Sequence, residues 1–175
     1  MNYFELFNLA PGFHLDVEQL AHTYQRLQQI THPDKFASAG DRERLLAVQK
    51  NAQVNDAYQT LKSPLKRAEY LLSLRGLDLQ HEHQTMQDSA FLMQQMQWRE
   101  ELEDIEHADD PAEQLVQLDK QIKHMMDQQF AELAEILQDN GEEANLAAAN
   151  LIRKLKFMLK LRHEIELKDD MLNDF

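Results

Sequence analysis

The sequence has no cysteine among its 175 residues. The chain by itself therefore cannot form a disulfide, a thiolate zinc site or a cysteine-held iron–sulfur cluster. Its uninterrupted apolar stretches are only a few residues long, too short for a membrane-spanning helix. The first residues also lack the basic segment and the apolar run of a secretory signal. We therefore expect a cytoplasmic protein without a cofactor.

Glycine and proline are scarce, with four of each. All of them fall between segments of helical periodicity, where these two residue types end or separate helices. No segment alternates apolar and polar residues for long enough to indicate a strand. The pattern predicts an all-α chain with short connections. The residues are Gly12, Gly40, Gly76, Gly141, Pro11, Pro33, Pro64 and Pro111.

Charge divides the chain into two parts. Residues 1–75 hold 9 basic and 8 acidic side chains, whereas residues 76–175 hold 9 basic and 23 acidic ones. An acidic surface repels the phosphates of nucleic acids, so nucleic-acid binding is not expected. The asymmetry favours two modules over one domain.

The first part reads as a helical hairpin followed by a shorter helix. Asp16 can cap a helix that must end before Pro33, and Asp41 can cap a second helix that Pro64 ends. A third helix is predicted from Leu65 to Leu74, before Gly76. The predicted apolar stripes are Val17, Leu20, Ala21, Tyr24 and Leu27 on the first helix, and Leu45, Val48, Ala52, Tyr58 and Leu61 on the second.

The second part reads as a three-helix bundle over residues 88–175, joined to residues 1–75 by a linker at 76–87. Its helices are predicted from about Asp88 to His107, from Pro111 to about Gln138, and after Gly141. The predicted stripes are Leu115, Leu118, Ile122, Met126, Leu133 and Ile136, then Leu151, Leu155, Leu159 and Ile165. Within the linker, His81-Glu82-His83 resembles a metal-binding run but lacks further nearby ligands, so we interpret it as solvated.

The helix from Asp88 has a second apolar face. At 100° per residue, Phe91, Trp98, Leu102 and Ile105 form one narrow core seam. Nearly opposite lie Leu92, Met93 and Met96, beside the polar Gln97, Glu100 and Asp104, and Phe157 falls off the stripe of the last helix. We call these last seven residues the Leu92 patch. They either pack against the first part of the chain, complete a wide core, or form a partner-binding surface with an acidic rim, for which the flexible methionine side chain is suited.

The segment His32-Pro33-Asp34-Lys35 opens the turn between the first two helices, which we call the His32 loop (residues 32–40). A stiff charged tripeptide at the tip of a hairpin is presented to a partner protein, whereas catalytic groups usually lie in a pocket. A hydrolase using His32 and Asp34 as acid and base is disfavoured, because the chain offers no nucleophile or glycine-rich oxyanion loop beside them. A purely structural helical adaptor would not need such a loop. We expect no enzyme activity.

Three runs around this loop carry a family resemblance. Thr31-His32-Pro33-Asp34-Lys35-Phe36 lies between amphipathic helices, and it is followed by residues 54–61 (VNDAYQTL) and 63–70 (SPLKRAEY). Together they strongly resemble the J-domain of DnaJ-type co-chaperones. With residues 3–7 (YFELF), 91–93 (FLM) and 99–102 (REEL), the resemblance extends over the whole chain to the HscB family of iron–sulfur co-chaperones.

This resemblance implies two partners and no enzyme activity of the chain's own. The J-domain would stimulate ATP hydrolysis by a DnaK-type chaperone, HscA, through His32, Pro33, Asp34, Lys35 and Arg26. The three-helix domain would hold the cluster scaffold protein IscU through the Leu92 patch: Leu92, Met93, Met96, Gln97, Glu100, Asp104 and Phe157. The alternative that shares the loop is a general J-domain co-chaperone for unfolded polypeptides, although the glycine-rich linker and cysteine-rich module typical of those proteins are absent.

Overall fold

The computed structural model describes residues 1–79 and 88–174. Over these residues the secondary structure is helical and contains no strand, so the predicted all-α class is confirmed. The chain divides into two compact units, Met1–Asp78 and Leu79–Phe175. Most of the expected linker, with His81-Glu82-His83, lies outside the described residues.

The described residues form seven α-helices. The first unit contains α1 (Tyr3–Leu6), α2 (Val17–Thr31), α3 (Asp41–Lys62) and α4 (Pro64–Leu74), and the second contains α5 (Ser89–Asp104), α6 (Pro111–Ile136) and α7 (Glu142–Asn173). Two 3-10 turns, Pro33–Phe36 and Ile105–His107, follow α2 and α5.

Helix ends in the first unit largely follow the capping signals. The Asp16 side chain accepts hydrogen bonds from the backbone of Glu18 and Gln19 and so caps α2. Pro64 occupies the first turn of α4, where its missing N–H costs nothing. Helix α1 was not predicted, although Asn2 and Glu5 form a reciprocal capping box that starts it.

The predicted core stripe of α3 is wrong in most of its members. Leu45, Val48 and Ala52 are exposed and Tyr58 is half-buried, so only Leu61 of the five is fully buried. The buried face is instead Ala47, Val54, Ala57 and Leu61. The small side chains on this face let α3 lie close to neighbouring helices. The residues that are buried here are therefore set more by side-chain size than by hydrophobicity. The N-cap of α3 is Gly40; Asp41, predicted to be the cap, is its first helical residue.

The second unit buries the stripes expected for a helical bundle. Leu115, Leu118, Ile122, Met126 and Leu133 of α6 are buried, while Ile136 is half-buried. On α7, Leu151, Leu155 and Ile165 are buried, but Leu159 is half-exposed, and Ile152, Met158 and Leu161 fill the core instead. The prediction for Leu159 is therefore wrong, because the stripe of this long helix drifts around its axis. None of the described helices is both long and apolar enough to cross a bilayer.

Two candidate partner-binding surfaces

The His32 loop is held by its own residues. Helix α2 ends at Thr31, and Pro33 begins the 3-10 turn with its φ angle fixed by the ring. The Nδ1 atom of His32 accepts a hydrogen bond of 3.2 Å from the backbone N–H of Asp34. That bond assigns His32 a local structural role. One oxygen of the Asp34 carboxylate lies 3.5 Å from the same His32 Nδ1 atom, and the side chain still exposes 92% of its surface.

A polar network ties α2 to α3 immediately behind the loop. Asn51 Nδ2 donates to Gln28 Oε1 at 3.0 Å and to Thr31 Oγ1 at 3.3 Å, and Gln28 in turn donates to Asn55. The Tyr24 hydroxyl also donates to Asn55. Because buried or half-buried amides are costly to leave unpaired, this network specifies one alignment of the two helices. The loop is thereby carried on a fixed hairpin.

The two basic residues assigned to chaperone binding are both exposed. Lys35 lies within the 3-10 turn, and Arg26 lies on α2 beside His22 along a shallow groove. One turn after Arg26, on the same side of α2, lies the exposed Ile30, which was not predicted. Helical spacing from Arg26 could have identified it.

The second apolar face of α5 is open to solvent. Leu92, Met93 and Met96 expose 39%, 70% and 65% of their surface, whereas Phe91, Trp98, Leu102 and Ile105 on the opposite side are buried. The interpretation that the exposed three complete a wide core is therefore wrong. The core seam predicted for this helix is confirmed.

Phe157 extends this face onto α7. Its ring meets Phe91 edge-on with centroids 5.9 Å apart, and the Arg99 guanidinium lies 5.6 Å from its centroid. Met96, Glu100 and Phe157 line one open groove, together with Arg99. Arg99 also forms an ion pair with Glu164, so it connects the two helices at this point. Three members of the Leu92 patch are thus brought together from residues far apart in sequence.

The polar members of the patch are less tightly grouped. Gln97 Nε2 donates to Glu101 at 3.4 Å and remains exposed. Asp104 is also exposed, but it lines a different groove, between α5 and α6, beside Gln114 and Gln117. The structure therefore does not place Asp104 next to Phe157.

Charged contacts anchor both ends of α5 on α7. Lys154 Nζ lies 2.7 Å from Asp88 Oδ2, while the other oxygen of Asp88 caps α5 by accepting from Phe91. The hydrogen bond from Lys154, aided by that backbone bond, lowers the pKa of Asp88. At the other end, Lys168 Nζ donates to the carbonyl of Leu102 at 2.8 Å. The Leu92 patch therefore lies on a helix fixed at both ends.

The described residues contain no cluster of three or more histidine, aspartate or glutamate side chains able to hold a metal ion. What they present are a charged loop and an apolar helical face with polar neighbours. Open surfaces of this kind are typical of sites that bind macromolecules.

Comparisons with known proteins find relatives over the whole chain. Residues 87–166 match the family model described as the HSCB C-terminal oligomerisation domain. The co-chaperone protein HscB homolog of Pseudoalteromonas atlantica is 58% identical over 100% of both chains. Chaperone HscB from Vibrio cholerae matches at a TM-score of 0.87 with 49% identity, covering 98% of this chain and 99% of that one. Human co-chaperone HscB matches at a TM-score of 0.87 with 27% identity, covering 96% of this chain and 82% of that one.

Proposed function

This chain belongs to the HscB family of co-chaperones, and we propose that it serves iron–sulfur cluster assembly in the cytoplasm by bringing two proteins together. The His32 loop stimulates ATP hydrolysis by a DnaK-type chaperone, HscA. The Leu92 patch binds the cluster scaffold protein, IscU, and delivers it to that chaperone. The observation that carries the proposal is the pairing of a preformed, exposed Asp34 loop with a separate exposed apolar face on α5.

The loop is suited to docking because it is already ordered, so binding a partner costs little conformational entropy. Pro33 fixes one dihedral angle, and the bond from Asp34 N–H to His32 fixes the turn before any partner arrives. The exposed Asp34 carboxylate then offers a charge-assisted bond to a basic group of the chaperone. Arg26 on α2 and Lys35 in the 3-10 turn supply positive charge that complements acidic groups of the chaperone. Docking can stimulate ATP hydrolysis only if the loop binds the hydrolysis-competent conformation of the chaperone more tightly than the chaperone's other conformation.

The Leu92 patch suits one folded partner. Leu92, Met93 and Met96 supply the desolvated centre, and the half-buried Phe157 supplies an aromatic side wall. Gln97 and Glu100 supply polar groups at its edge, and Asp104 supplies another farther along α5, where they select against partners without matching donors. A general co-chaperone for unfolded chains, the second candidate, would instead need a long apolar surface able to accept many sequences.

We would test the loop with Asp34→Asn, which removes one charge and keeps the side-chain shape. Stimulation of the chaperone's ATPase should fall at least tenfold, since a charge-assisted bond contributes about 1.5–3 kcal/mol. Scaffold affinity, measured by calorimetry, should not change. Asp41→Asn is the matched control, because Asp41 is an equally exposed carboxylate at the start of α3.

Unchanged stimulation by the Asp34→Asn protein would reject the role of the loop. Equal losses in the Asp34 and Asp41 variants would show a general charge effect and would also reject it. Binding of an unfolded reporter polypeptide as tight as that of the scaffold would favour the general co-chaperone.

A further inference from the structure

Two of the chain's eight methionines lie in the Leu92 patch, and both are exposed. Met93 and Met96 expose 70% and 65% of their surface, whereas Met126 and Met158 in the core expose 5% and 0%. The exposed pair stands three positions apart on α5, which separates the two residues by about 4.5 Å along the helix axis and by about 60° around it. A reagent in solution therefore reaches both thioethers of the patch and is kept from the two in the core.

Thioethers are the only sulfur groups in this chain, because it has no cysteine. A hydroperoxide oxidises a thioether to a sulfoxide. A lone pair on sulfur attacks one peroxide oxygen, so an S–O bond forms, the O–O bond breaks and sulfur loses two electrons. With hydrogen peroxide, the departing hydroxide takes up the proton of the transferred hydroxyl and leaves as water. Methionine sulfoxide reductases reverse the change, one enzyme for each sulfoxide epimer, with a dithiol as the electron donor.

Oxidation changes the chemistry of the patch at its centre. A thioether gains free energy when a partner's apolar surface covers it, whereas a sulfoxide oxygen covered in the same way costs free energy unless a donor meets it. Met96 lines one groove with Phe157 and Glu100. Neither an aromatic hydrocarbon ring nor a carboxylate donates a hydrogen bond to the new oxygen. The oxidised patch is therefore a poorer surface for an apolar partner.

We propose that Met93 and Met96 are oxidation sites, and that their conversion to sulfoxides by a hydroperoxide releases the scaffold partner from the Leu92 patch. This inference rests on the proposed function of the patch and adds reversible control to it. Position gives these two residues their role, since exposure alone does not distinguish them. Met171 is also exposed, at 66%, but it lies outside the patch, about 21 Å beyond Phe157 along α7.

The test treats this protein alone with hydrogen peroxide, removes the peroxide, and then measures scaffold affinity by isothermal titration calorimetry. Peptide mass spectrometry reports the extent of oxidation at each methionine. Mild treatment should oxidise Met93 and Met96 while Met126 and Met158 stay reduced. Scaffold affinity should then fall at least tenfold, because one buried and unpaired polar group already costs roughly a factor of ten. Both sulfoxide reductases together, supplied with a dithiol, should restore the affinity.

Met93→Leu with Met96→Leu isolates the two sites, because leucine keeps an apolar side chain and is not oxidised by peroxide. The affinities before and after treatment are compared within each protein, so any effect of the substitutions on the untreated affinity cancels. Peroxide should leave the affinity of this leucine variant unchanged. Met171→Leu is the matched control, and peroxide should weaken its scaffold binding as much as it weakens that of the unmodified protein.

Two outcomes would overturn the proposal. One is native scaffold affinity in the unmodified protein when Met93 and Met96 are fully oxidised. The other is a leucine variant that loses as much affinity on treatment as the unmodified protein, since the effect would then arise at other residues. A protein that fails to bind the scaffold before any treatment would refute the proposed function of the patch, and this inference with it, so the two failures are told apart by the untreated sample.

Discussion

Replacing Leu92 and Met96 together by alanine tests the scaffold surface most quantitatively. Full burial of a leucine or methionine side chain contributes about 1.5–3 kcal/mol. Leu92 exposes 39% of its surface and Met96 exposes 65%. Burying those fractions against the scaffold contributes roughly 1.5–3 kcal/mol in total, so the double variant should bind about ten- to a hundredfold more weakly. Isothermal titration calorimetry with the purified scaffold protein measures this difference.

The matched control for this variant is Leu45→Ala with Val48→Ala. These α3 residues expose 57% and 50% of their surface and lie outside the Leu92 patch, so scaffold affinity should stay unchanged. Both double variants should unfold with nearly the same free energy as the unmodified protein, since exposed truncations typically cost less than about 0.5 kcal/mol each. Native affinity in the Leu92 and Met96 variant would refute the assignment. A large loss of stability would instead mean that these side chains are part of the core.

Two further predictions concern stability. Asp88→Asn keeps the cap on α5 but removes the charge that pairs with Lys154. That pairing lowers the pKa of Asp88 in the folded protein. Its contribution to the free energy of unfolding is therefore present above the unfolded pKa of about 3.9 and is lost as the pH falls through the folded pKa. Urea unfolding should therefore show the variant to be less stable at pH 7 and equally stable near pH 2; equal stability at both would contradict this. Asn51→Ala removes the hydrogen bonds to Gln28 and Thr31 and should lower the free energy of unfolding by about 1–2 kcal/mol. Unfolding followed by circular dichroism measures this loss. An unchanged free energy of unfolding would show that the network does not hold the hairpin.

Sequence patterns predicted helices well where capping and proline chemistry set their ends. Asp16 and Gly141 precede helix starts as expected, and α3 ends just before Pro64 as expected. The core of α3 could not be predicted in the same way. Leu45 and Val48 are exposed, while the smaller Ala47 and Ala57 are buried. Burial there follows from how closely neighbouring helices approach, and hydrophobicity alone does not contain that information.

The candidate site could likewise be predicted only in part, since patterns within one helix are readable from the sequence and contacts between helices are not. The two faces of α5 follow from spacing within one helix, so the exposed Leu92 and Met96 could be predicted. The edge-on contact between Phe91 and Phe157 joins residues more than sixty positions apart, and no local pattern specifies it. The hydrogen bond from Asp34 N–H to His32 also depends on turn geometry. It gives His32 a structural role that the tripeptide alone did not reveal.

The central proposal is that one chain holds chaperone and scaffold together. The most direct measurement is ATP hydrolysis by the chaperone, with scaffold present, when the Asp34→Asn protein is mixed with the Leu92→Ala, Met96→Ala protein. Tethering raises the effective concentration of the scaffold near the chaperone only when both surfaces belong to one molecule. The mixture should therefore stimulate ATP hydrolysis no more than the Leu92→Ala, Met96→Ala protein does alone. Recovery of the full stimulation seen with the unmodified protein would contradict the proposal, since the two surfaces could then act from separate chains.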